Sequence, residues 1–126
     1  MLDKIYDALV ADEYIKELTL GRIKFYEYPA TGEVDKPYIV IDPLDVPLPK
    51  DYADDTWMTD DYLIQIDVWT KDRKTRDKLA LRIRHVMWNI GFHQGAGTDE
   101  WDKDFNIYRD ARQYRGKAYR DDFDSL

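Results

Sequence analysis

Few side chains in this 126-residue chain have the type and spacing to do chemistry. Ser125 is the sole serine and cysteine is absent. Nucleophilic catalysis would therefore fall to a threonine or a carboxylate, and no signature surrounds any of them. Thiolate zinc sites and disulfide scaffolds are excluded. His85 and His93 stand eight apart, one on a predicted helix and one beyond Gly91, a spacing that does not suit a shared metal. The acidic run at Asp51, Asp54 and Asp55 lacks the alternation, the central glycine and the closing glutamate of a calcium loop. Gly91, Gly95 and Gly97 follow a helix, and no Lys-Ser or Lys-Thr pair comes next, so they do not form a phosphate loop. Asp67 is followed by Val68-Trp69, where a metal nuclease would carry an acidic-x-Lys. The expectation is a protein that is not an enzyme and carries no cofactor or metal.

What the chain does carry is segregated charge. Its net charge is −7 and its pI about 4.8, with Asp supplying most of the acid. That balance disfavours a free-standing DNA-binding module. Asp42 to Asp61 sums to −6, Lys71 to Arg84 to +5, and Arg109 to Arg120 to +4. Solvated faces that balance within one copy are the first reading. Complementary surfaces between copies are the second. Lys74, Lys78 and Arg82 recur at four-residue spacing on a predicted helix face. They could meet phosphates, but the overall field is negative and no stacking aromatics interleave with them. Hence no sequence-specific nucleic acid is expected.

These residues must be positioned by a small set of elements. Leu2, Ile5, Tyr6, Leu9 and Val10 repeat at helical spacing, and Asp12 can cap a further turn over Glu13 to Leu18. Ile23 to Tyr28 reads as a strand, Ala30 to Glu33 as a turn, and Tyr38 to Ile41 as a strand buried on both faces. Asp42 to Thr59 holds three prolines and several aspartates, so it reads as a long acidic loop with no regular element. Tyr52, Trp57 and Met58 inside it either tuck onto the core or dock on a partner. Tyr62 to Thr70 alternates as a strand. Asp72 opens the longest helix, with Leu79, Ile83, Val86, Met87 and Ile90 as its apolar stripe and Gly91 as its end. His93 to Asp102 reads as a loop. Phe105 to Tyr108 and Ala111 to Tyr119 read as strand material with a break at Gly116, and 121–126 as a frayed tail.

The predicted fold class is α+β. It is a single domain over 1–126 with an antiparallel sheet of about four strands. Two main helices pack on one face, in the order α-β-β-β-α-β. No apolar run is long enough to span a membrane, and Met1 to Lys4 opens no secretory signal. The lack of cysteine agrees with an intracellular chain. The candidate interface comprises Asp51, Asp54, Asp55, Trp57, Met58, Lys74, Lys78, Arg82, Arg112, Tyr114, Arg115 and Tyr119.

Four stretches carry a likeness to a known family. They are Pro37 to Ile41, Asp61 to Thr70, the Asp72-opened helix to Ile90, and Arg112 to Arg120. In layout the chain resembles the tail terminator, or tail completion, proteins of long-tailed bacteriophages. The resemblance implies a structural virion protein, assembled in the host cytoplasm. Its copies would form a ring, a hexamer in that family, at the head-proximal end of the tail tube. The ring would stop tube polymerisation and meet the head connector. Its partners would be its own copies, the tube protein and connector proteins. A head–tail joining protein at the neck shares the layout. A bacterial protein-binding module and a nuclease are the readings from other classes.

Overall fold

The computed structural model describes residues 1–30, 34–53 and 56–119. The Thr31–Glu33 part of the expected turn, Asp54, Asp55 and the 121–126 tail lie outside the described residues. The first helix, α1 (Leu2–Ala11), buries Ile5 and Leu9. Asp12 then accepts a hydrogen bond from the Ile15 N–H at 3.1 Å and starts α2 (Glu13–Thr19). Such a cap satisfies one of the orphan donors of a helix start. The long helix, α3 (Arg73–Asn89), begins the same way. The Asp72 carboxylate accepts from both the N–H and the hydroxyl of Thr75, at 3.0 and 2.6 Å. Both bonds hold the Asp72 carboxyl below the usual range, the hydroxyl first.

The strands are β1 (Ile23–Phe25), β2 (Tyr38–Pro43), β3 (Leu48–Ala53), β4 (Thr56–Thr70), β5 (Phe92–Asp102) and β6 (Ile107–Tyr119). They form one six-stranded sheet in the order β1-β2-β4-β6-β5, with β3 also paired to β4. All pairings are antiparallel except β1 with β2, which is parallel. The fold class is α+β as expected, with six strands instead of about four and a mixed sheet instead of a purely antiparallel one. β4 is the axis. Its second half pairs with β2, its first half with β3, and almost its whole length with β6.

Alternation along β4 divides the molecule into two sides. Ile64, Ile66 and Val68 join Ile39, Ile41 and Tyr114 in a core shared with Ile5, Leu9, Ile15, Leu79, Ile83 and Met87 of the three helices. On the other side, Trp69 packs with Val34, Tyr38, Val40 and Ile107 in a smaller cluster. Residues buried on both faces explain why Tyr38 to Ile41 reads as an uninterrupted apolar run.

Four sequence expectations are corrected. Asp42 to Thr59 is not irregular: β3 and the start of β4 lie in it as a ladder. β3 is exposed throughout, and an edge strand tolerates Pro49 where a central one would not. His93 to Asp102 is likewise strand β5, at the opposite edge of the sheet. Its register slips between Gln94 and Gly97. A Cβ on Gly97 would sit 2.6 Å from the Ala111 carbonyl oxygen, so a glycine fits this close approach. The expected strand to Tyr28 stops at Phe25, because Tyr26 turns into the left-handed region at φ 63°. Finally, β6 starts at Ile107 and runs unbroken through Gly116. That glycine faces Phe92, and a Cβ there would lie 2.7 Å from the ring.

Candidate assembly interface

The expected interface residues fall into three groups. The first lies where β3 and the start of β4 project along the end of β6. Val46, Leu48, Tyr52, Met58 and Tyr119 are all exposed there, Val46 and Tyr119 to 77% each. Trp57 is half-buried in the same hairpin. Asp51 accepts from the Thr59 hydroxyl at 2.6 Å and from the Lys117 ammonium at 3.0 Å. These contacts, the hydroxyl first, hold the Asp51 carboxyl below its ordinary value. Exposed apolar side chains grouped on a hairpin mark a contact surface better than scattered ones do. We refer to this hairpin as the arm.

The second group is the basic helix face. It turns toward α2 instead of standing free. Arg82 reaches Asp12 at 2.7 Å, and the Lys78 ammonium lies 4.4 Å from the centre of the Tyr14 ring. Only Lys74 of the three has neither an ion pair nor a ring partner among the described residues. The third group lies on β6. Arg115 pairs with Asp61 at 2.9 Å, and Arg112 pairs with Asp110 at 2.9 Å while donating to Gln94 at 2.9 Å. Tyr114 is no interface residue, being 1% exposed within the main core. Its alternation with Arg115 puts it on the helix side, opposite Ile64.

Much of the segregated charge is thus balanced within one copy. The acidic segment before Tyr62 pairs with β6 through Asp61–Arg115 and Asp51–Lys117. Arg76, from the basic stretch, is nearly buried, held by Asp77 at 2.8 Å and by Asp99, with Tyr108 beneath it. Asp67 is wholly buried on the side of the sheet away from the helices, and both Nε and Nη2 of Arg109 donate to it at 2.9 and 2.8 Å. Burial pushes the Asp67 carboxyl up, and Arg109 pulls it partly back. The Asp67 Oδ1 also accepts from the Gln65 side-chain amide at 2.9 Å.

Sequence reasoning missed a second exposed apolar surface. Leu81 and Trp88 of α3 are 50% and 69% exposed, outside the stripe that faces the core. They line a 610 Å³ groove with Arg84, His85, Phe92, His93 and Gln94, between α3 and the start of β5. The signal was present, since two large apolar residues seven apart share one helix face. The structure brings both histidines to this groove. No group of three or more metal-ligating side chains occurs among the described residues. No helix among the described residues is long and apolar enough to cross a membrane.

An α+β domain with an arm at one sheet edge and a groove at the other is the class defined so far. The fold is similar to that of a chain in the virion of a native gene transfer agent particle. The TM-score is 0.64, with 13% sequence identity over 92% of each chain. No protein-family model matches the sequence, and no curated protein matches it.

Proposed function

We propose that this protein is a structural component of a phage-like virion. In this reading it assembles as a homo-oligomeric ring, a hexamer, at the head-proximal end of a tail tube. It ends tube polymerisation and presents its other side to the head connector. The observation that carries the reading is the likeness to a virion chain over 92% of both chains. The paired exposed surfaces agree with it, because a chain that packs against others needs apolar area left uncovered in the monomer. In this reading the protein has no catalytic role, and Asp67 serves the fold as the ion-pair partner of Arg109.

Electron microscopy and sedimentation of the purified protein, alone and with a tail-tube protein, test this reading. Rings that bind tube ends and limit tube length are expected. A chain that stays monomeric under both conditions would overturn it. Rings that bound connector proteins and ignored tubes would move the role to the neck. Nicking of plasmid DNA with magnesium, lost in Asp67→Asn, would favour the nuclease reading instead.

A further inference from the structure

We infer that the arm of one copy docks into the α3/β5 groove of the next, and that this head-to-tail contact closes the ring. The inference rests on the ring reading above. The arm lies at the β3 edge of the sheet and the groove at the β5 edge. With β4 and β6 between them, the two edges stand about 14 Å apart at ~4.8 Å per strand spacing. Both belong to the same sheet with these two strands between them, so the arm does not lie against the groove of its own copy.

The two surfaces complement each other in chemistry. The arm offers Leu48 and Tyr52, exposed on one face of the hairpin, with Met58 on the other, and the groove offers Leu81 and Trp88. Charge points the same way. Asp45 and Asp60 of the arm have no ion-pair partner among the described residues, and neither does Arg84 of the groove. With Asp51 and Asp61 satisfied within the copy, and Lys50 of β3 also without an ion pair among the described residues, the charge left on the arm is net negative. Side chains, not backbone, make the contact. Pro49 removes a donor from the β3 edge and the bulge after Gln94 interrupts the β5 edge, two devices that discourage strand-to-strand pairing. The contact joins different patches, so it is heterologous. Such contacts build rings when the rotation closes, and symmetric dimers do not use them.

The absence of cysteine makes the test clean. Leu48→Cys and Leu81→Cys are prepared separately and together, and treated with a short bis-maleimide cross-linker. A covalent dimer is expected only when the two single variants are mixed. The double variant should give a ladder that stops at the ring size. Trp88→Ala should weaken association at least tenfold while leaving the melting temperature within a degree or two. Rings without the Leu48–Leu81 link would overturn the inference and spare the ring. A link from Leu48→Cys alone would mean a symmetric contact and also overturn it. So would Leu81→Cys shielded from maleimide in the monomer, since another occupant would then fill the groove. A monomer at every concentration would overturn this inference and the ring together.

Discussion

Two side chains inside the fold have effects that can be measured one at a time. Arg109 is the partner of a fully buried carboxylate and also lies over the Trp69 ring, 4.9 Å from its centre. Removing one member of a buried pair costs roughly 3–5 kcal/mol, because the other charge is left without compensation. Arg109→Ala should therefore lower the urea midpoint sharply, and Arg109→Ala/Asp67→Asn should recover part of the loss. The second case is Tyr114. Burial pushes its hydroxyl up to about 12, and that oxygen has no hydrogen-bond partner among the described residues. Its folded pKa lies above the unfolded value near 10, so its contribution is full below pH 10. It is lost as pH rises toward 12, with a slope of up to about 1.4 kcal/mol per pH unit. Tyr114→Phe should remove that part of the alkaline decline in denaturation curves. At pH 7 it should be neutral or stabilise by about 1 kcal/mol, since it deletes an unsatisfied group and keeps the packing.

Among the elements, the best-defined prediction concerns the crossing of β5 and β6. A methyl group on Gly116 would meet the Phe92 ring at 2.7 Å and the Gly91 carbonyl oxygen at 2.9 Å. Overpacking of this kind costs typically ~1–3 kcal/mol. Gly116→Ala should lower the melting temperature, and Phe92→Leu should relieve part of the loss in the double variant. The same region shows where the sequence could be read and where it could not. β4 and α3 were legible because each buries a repeating face: Ile64, Ile66 and Val68 at period two, and Leu79, Ile83 and Val86 at three and four. β3 and β5 were not, because an edge strand exposed on both faces needs no alternation. Pro47, Pro49, Gly95 and Gly97 then speak for a loop, while the neighbouring strand overrides them. The exposed apolar surface of the arm was legible in part, through Met58 and Trp57. The groove was not, because Leu81 and Trp88 sit among charged residues that mask their shared face.

At the scale of the whole molecule, the charge pattern serves the monomer first. Arg82–Asp12 and Lys78 on Tyr14 tie α3 to α2. Reversing Lys74, Lys78 and Arg82 to Glu would break the Arg82–Asp12 pair, set an acid against the Asp12 cap and remove the Lys78 cation from the Tyr14 ring. That should cost stability, by roughly 1 kcal/mol for such partly exposed pairs, instead of acting on assembly alone. Calorimetry should show the loss, and light scattering should show association weakened less than by Trp88→Ala. Salt is expected to act in the same modest way. At 1 M the screening length falls to ~3 Å, which blunts Asp45, Asp60 and Arg84 and leaves the apolar contact. A ring that dissolved completely in high salt would mean that charge, not Trp88 and Leu81, supplies most of the affinity.

The central place of β4 has a consequence in time. The guanidinium that neutralises Asp67 stands 42 residues later in the chain. At synthesis rates of about 5–20 residues per second, it arrives about 2–8 s after the carboxylate it must cover. Through that interval β4 has β2 and β3 on one side and nothing on the other, and the Asp67 carboxylate in its middle has the Gln65 amide but no cation. The core therefore closes only once β6 is made. A nascent chain halted before Arg109 should be degraded by protease at β4, and one extended past Tyr119 should resist.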